Sequence, residues 1–122
     1  MAQINNSAED YLEAIFRLLQ SDNHAHSVDI AEALGVTKPS AFKALKGLSE
    51  QGYIEKAKYG SVTLTEAGRK RAEAVEKKHK AIRTFLVDIL GVSAEVAEVD
   101  ACKIEHCISD ETTNKLFTYL KF

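Results

Sequence analysis

Asp10 and Glu13 stand three residues apart, and Cys102, Glu105 and His106 are spaced i, i+3, i+4. On a helix each group would project from one face. His79 falls midway along a stretch of helical periodicity, among basic neighbours. Together the six offer the oxygen, nitrogen and sulfur donors that hold a divalent transition metal. Each also has a simpler role: Glu13 can pair with Arg17 at i+4, His79 can be a partly buried helix histidine, and Cys102 a small apolar core residue.

A second chemistry lies in the charge. The 122 residues carry a net charge of −2. From Val36 to Lys80, however, eleven Lys/Arg face five Asp/Glu, giving +6, while residues 1–35 come to −5 and residues 81–122 to −3. A chain basic only in its middle suits a protein that turns one surface to a polyanion, although a solvated charged face would read the same way.

The elements that must position these groups follow from periodicity and capping. A first helix starts with Ser7 as N-cap and carries Tyr11, Leu12, Ile15, Phe16, Leu18 and Leu19 as its apolar stripe, until SDNHAH breaks it. A short second helix begins with Ser27 as cap, turns Ile30, Ala31, Ala33 and Leu34 inward, and stops at Gly35. A third has Thr37 as cap, Pro39 in its first turn and Ala41, Phe42, Leu45 and Leu48 on the packed side, and ends at Gly52. The period then drops to two in YIEK and SVTL, two strands joined by AKYG as a small hairpin. A long helix follows, capped by Thr65, with Ala72, Val75, His79, Ile82, Phe85, Leu86 and Ile89 along one side and Gly91 at its end. SAEVAEVDACKIEHCI, capped by Ser93, and SDETTNKLFTYLKF, capped by Ser109, complete the chain.

Two short helices joined by Gly35-Val36-Thr37 and followed by a hairpin make a winged helix-turn-helix, whose second helix enters the major groove of DNA. The fold class expected is therefore mainly α with a small β-hairpin wing. A DNA-binding domain over residues 1–70 is followed by an all-helical domain over 71–122. Thr37, Lys38, Pro39, Ser40 and Lys43, at the start of the recognition helix, would meet bases and nearby phosphates. Lys46, a turn later, and Lys56, Lys58 and Tyr59 on the wing would position the protein on phosphates.

CKIEH is like the H-x-x-E-H helix of zinc peptidases with Cys for the first His, but only about 15 residues follow it. A substrate cleft needs more chain. With no nucleophile elbow and no phosphate-cradling glycine loop, an enzyme is not expected, nor a small organic substrate. The longest apolar stretches run to three or four residues, far short of a membrane helix, and MAQINNSAEDY lacks the features of a secretory leader. A cytoplasmic protein with reduced thiols is expected. Cys102 and Cys107, five apart, would lie on different helical faces and not form a disulfide. An alternative reading is a metal-independent winged-helix regulator sensing redox state through Cys102 or Cys107.

SAEDYLEAIFRL, VDIAEALGVTKPSAFKALKGL, GSVTLTEAGRK, KHKAIRTFL and CKIEHCISDE, in this order and spacing, resemble the metal-dependent repressors of the diphtheria-toxin-repressor and manganese-transport-regulator family. The resemblance implies Asp10, Glu13, His79, Cys102, Glu105 and His106 as metal ligands, joining the two parts of the chain. It also implies a homodimer held by the long helix and the last two helices, bound to a palindromic operator in double-stranded DNA, and repression of metal-uptake genes. The match is mosaic. Asp10 resembles the manganese branch and Cys102 the iron branch, while Arg83 stands where iron-type members carry a carboxylate of an ancillary site. The layout resembles the short, two-domain manganese type, without the third domain of iron-type members. Fe(II) or Mn(II) is the metal implied, with Co(II), Ni(II) and Zn(II) as substitutes. The thiolate tilts the choice towards Fe(II).

Overall fold

The computed structural model describes the backbone from Asn6 to Phe122, and the side chains from Ala8 onward except that of Lys58. It divides into two compact units, Met1–Glu73 and Ala74–Phe122. The first unit holds helix α1 (Asn6–Asp22), strand β1 (Ala25–His26), helices α2 (Ser27–Leu34) and α3 (Lys38–Glu50), and strands β2 (Ile54–Lys56) and β3 (Ser61–Leu64). Helix α4 (Glu66–Thr84) begins in the first unit and continues into the second, which adds α5 (Ala94–Ile104) and α6 (Asp110–Leu120). Among the described residues no helix is long and apolar enough to cross a membrane.

The core of the first unit is built by helical spacing. Tyr11, Leu12 and Ile15 of α1, Ile30 and Ala31 of α2, and Ala41, Leu45 and Leu48 of α3 are buried together with Ala25, Ile54, Val62 and Ala72. Phe16, Leu18, Leu19 and Leu34 pack around them. Gly35, at φ 66, ends α2 in the left-handed conformation that lets its own N–H and that of Val36 close back on Glu32 and Ala31. Thr37 caps α3, its hydroxyl accepting from Ser40 N at 3.2 Å. Thr65 caps α4, accepting from Gly68 N at 3.1 Å and donating to the Gly52 carbonyl at 2.7 Å.

Several expectations are corrected. Phe42 is not on the packed face of α3: it is 59% exposed, because Ala41, Leu45 and Leu48 already fill that face. Ala33 is exposed as well. Ser27 does not cap α2. His26 holds that position without a side-chain bond, and the Ser27 hydroxyl donates instead to the Gly60 carbonyl at 3.3 Å. Ser7 lies within α1, not before it, and its side chain is outside the described residues. The break after α1 contains β1, which pairs with β3 through Ala25↔Val62 and His26↔Ser61, so the wing is part of a three-stranded antiparallel sheet in the order β1-β3-β2.

In the second unit Val75, Ala81 and Ile82 of α4 and Ala97 and Ala101 of α5 are buried. After Thr84 the long helix continues as a wider π turn over Phe85–Ile89, with Leu90 N bonding to Phe85 O, before Gly91 stops it. Ser93 and Ser109 cap α5 and α6, accepting from Val96 N and Thr112 N. Helix α5 ends at Ile104, earlier than its sequence suggests, so Glu105 is its C-cap and His106 and Cys107 lie in the following turn. Ile89, Leu90, Val96, Val99 and Tyr119 are exposed.

Gly68 and Gly47 offer contrasting tests of this packing. A Cβ on Gly68 would collide with the Tyr53 carbonyl oxygen, whereas one on Gly47, inside α3, would meet nothing within 4 Å. Chemical denaturation of Gly68→Ala should show a loss of about 1–3 kcal/mol, the usual cost of overpacking against backbone. Gly47→Ala should gain about 0.5–1 kcal/mol from helix propensity alone.

Candidate metal centre and nucleic-acid interface

His79 is the buried centre of the second unit, 2% exposed at a point where α4 has turned its polar face elsewhere. Its Nδ1 lies 2.7 Å from Glu105 Oε1, and its Nε2 lies 2.9 Å from Glu98 Oε2. Cys102 Sγ stands 3.8 Å from the same Nδ1. His106 Nε2 is 3.6 Å from Glu105 Oε2, a buried oxygen with no hydrogen-bond partner among the described residues. On the outer side Arg83 reaches Glu98 Oε1 at 3.8 Å.

Two carboxylates facing both ring nitrogens make the imidazolium the species that donates to each. The Glu105 hydrogen bond, above all, holds the His79 pKa above its ordinary value, with Glu98 adding to it and burial opposing both. The proton sits among atoms that also suit a metal. His79, Glu98 and Cys102 present nitrogen, oxygen and sulfur atoms all within 4.8 Å of one another. An orphaned buried carboxylate oxygen beside them is what a cation would satisfy, so the residues present fit a divalent metal.

Of the donors expected from sequence, His79, Cys102, Glu105 and His106 are gathered in the second unit. Glu98 is an addition. It stands at i−4 from Cys102 and i−7 from Glu105, so the same helical spacing that singled out those two would have reached it. Asp10 and Glu13 lie in the first unit on α1, where Glu13 is buried and accepts from Arg17 Nη2 at 3.0 Å, the i+4 pairing open to it from sequence. Neither Cys102 nor Cys107 is in a disulfide. Cys102 is half-buried, and Cys107 is exposed with its thiol on the Lys103 carbonyl at 3.5 Å.

The other set of residues lies on the outer face of α3 and on the wing. Thr37, Lys38, Pro39, Ser40, Lys43 and Lys46 are all exposed, and Lys56 is half-buried. Tyr59, 95% exposed, sits at the wing tip with φ 68, next to Gly60 at φ 78. The Lys58 side chain is outside the described residues. Phe42, which sequence reasoning turned inward, shares this outer surface with the Lys56 ammonium 3.9 Å from its ring centroid.

Residues 3–62 match the family described as "Iron dependent repressor, N-terminal DNA binding domain", and residues 65–122 match "Iron dependent repressor, metal binding and dimerisation domain". The chain belongs to this family of metal-dependent transcriptional repressors. Its relatives are named as transcriptional regulators and repressors. An uncharacterized HTH-type transcriptional regulator of Methanocaldococcus jannaschii is 37% identical, covering 97% of this chain and 95% of that one. The transcriptional regulator MntR of Escherichia coli O157:H7 is 40% identical over 90% of this chain and 72% of its own length. A solved manganese-dependent transcriptional repressor in complex with manganese superposes with a TM-score of 0.86 at 33% identity, covering 94% of this chain. This repressor-family chain spans 53% of the length of that structure.

The raised His79 pKa has a direct consequence for the metal-free repressor. A folded-state value above the unfolded 6.5 means that the stabilisation is complete below about pH 6.5 and is lost as pH rises through the folded value. The thermal midpoint of chelator-treated protein should fall across that rise. His79→Gln should flatten this part of the profile, and a profile unchanged by the substitution would place the titration elsewhere.

Proposed function

We propose that the protein is a metal-responsive repressor in which Fe(II) or Mn(II), held by His79, Cys102, Glu105 and His106, favours binding of a homodimer to a palindromic operator. The observation that carries this reading is the buried His79 with a carboxylate against each ring nitrogen, a thiol at 3.8 Å and a Glu105 oxygen that has no hydrogen bond among the described residues. Glu98 is the further donor that the geometry supports. Asp10 and Glu13 are added on their i, i+3 spacing and on the family resemblance. Because they belong to the DNA-reading half, their part in the ligand set is what would link metal occupancy to operator affinity.

When bound, the metal supplies the positive charge that offsets the clustered carboxylates. The chain's own residues hold the donors in place: Glu105 and Glu98 orient the His79 ring, and Arg83 steadies Glu98. Metal binding must displace a proton from His79, so acid competes with it. Coupling of about 1–3 kcal/mol between the metal and DNA sites, the usual range, would change operator affinity roughly 5- to 150-fold. Thr37, Lys38, Pro39, Ser40 and Lys43 are proposed to read the operator, with Lys46, Lys56, Lys58 and Tyr59 on its phosphates. The target class is metal-uptake genes, and the compartment the cytoplasm.

A thiol among the donors favours Fe(II) over Mn(II), whereas one solved relative is a manganese-dependent transcriptional repressor. The family matches do not favour the redox alternative.

Co(II) gives a direct view of the site, because a cobalt–thiolate bond absorbs in the near ultraviolet and carboxylates do not. The band should appear in the wild type, persist in Cys107→Ser and vanish in Cys102→Ser. Glu105→Gln should leave a folded protein whose binding to DNA selected from a random pool no longer responds to Fe(II) or Mn(II). A full metal response in that variant would remove the site.

A further inference from the structure

His24 and His26 belong neither to the core nor to the proposed centre at His79. Asn23, at φ 64, ends α1 in the left-handed conformation that asparagine tolerates, its N–H closing back on the Leu19 carbonyl at 3.1 Å. The chain then extends into β1, where Ala25 is fully buried and His26 pairs with Ser61 of β3. Side chains alternate along an extended strand, so with Ala25 turned inward the histidines on either side of it share the outer face. Their ring centroids stand 5.0 Å apart with the planes tilted by 56°. We propose that His24 and His26 form a chelate for a late first-row divalent cation, Zn(II), Ni(II) or Cu(II), separate from the centre at His79.

The ring spacing is that of two imidazoles on one metal. An ion about 2.0–2.1 Å from a nitrogen of each ring lies about 3.2 Å from each centroid, and centroids 5.0 Å apart then subtend about 105° at it, close to the tetrahedral angle. A tilted pair, unlike a stacked one, leaves the ring edges free to converge on one point. His24 is exposed and His26 half-buried, and the His26 ring makes no capping bond to α2 that a metal would have to break. Among the described residues no third His, Cys or carboxylate completes a group with them, so water would fill the remaining positions. Two neutral imidazoles without a thiolate favour Zn(II), Ni(II) and Cu(II) over Mn(II) and Fe(II). The surrounding stretch helps: residues 1–35 carry one Arg against six Asp/Glu, a net −5 that draws cations.

Zn(II) is redox-inert, so it can be titrated into the full chain and followed on the four histidine rings by nitrogen NMR, each ring assigned by its His→Gln substitution. The His24 and His26 signals should move together with one midpoint. His24→Gln, at an exposed position, should raise the Zn(II) concentration needed to move His26 by about a hundredfold, because the second imidazole of a chelate binds intramolecularly. His26→Gln should do the same to His24. Ca(II), which takes oxygen ligands, should move neither ring.

Rings that stay unmoved at millimolar Zn(II), or that move equally with Ca(II), overturn the site. Separate midpoints for the two rings, or a His26 midpoint unchanged by His24→Gln, overturn the chelate and leave adventitious binding by single imidazoles only. His79 and His106 report on signals of their own, so failure of the metal-responsive reading would be seen there and would leave the His24–His26 chelate standing.

Discussion

A buried imidazole between two carboxylates is a constraint that the second unit must satisfy before anything else. Removing charges from water is costly unless they are paired and hydrogen-bonded, and here one nearly inaccessible ring meets Glu105 on one nitrogen and Glu98 on the other. The pairing spans α4 and α5, so it fixes the register of those helices as well as the chemistry. Three of the buried apolar residues of this unit are alanines, Ala81, Ala97 and Ala101, beside Val75 and Ile82. Small side chains let the helices approach closely enough for the polar contacts to form, and they leave the polar cluster a large share of what specifies this packing.

The same cluster explains how a site can be ready for a cation without being unstable in its absence. The His79 proton and the Arg83 guanidinium supply positive charge to Glu105 and Glu98. Among the described residues, the buried side-chain oxygen left without a hydrogen bond is Glu105 Oε2. A metal at the proposed site would gain by pairing that oxygen and by taking the place of a proton, so its affinity would be the difference between two well-coordinated states and would depend on pH.

In the first unit the constraint is different. Three helices share a core to which α3 gives Ala41, Leu45 and Leu48, with Ala44 packed against them, and Phe42, Lys43 and Lys46 of that helix face outward. Capping by Thr37 and the Gly35 turn fix where the helix starts and hence which side chains its first turn presents. The sheet does the same for the wing, since β1 pairs with β3 and the Ser27 hydroxyl reaches the Gly60 carbonyl, tying the start of α2 to the hairpin turn.

Periodicity, caps and glycines determined the elements: the winged helix-turn-helix, the long helix from Thr65 and the final two helices were legible because each is a local property of about ten residues. Chemical type and helical spacing likewise singled out His79, Cys102, Glu105 and His106. Tertiary structure alone decided what depends on partners distant in the chain. It placed Phe42 outside, because a helix with three buried positions at the right spacing has no need of a fourth. It ended α5 at Ile104, and it made a strand of Ala25–His26 because β3 offered an unpaired edge. Above all it brought Glu98 to His79. The carboxylate's spacing was visible in the sequence, but its role depends on which nitrogen of a histidine nineteen residues earlier comes within hydrogen-bond reach.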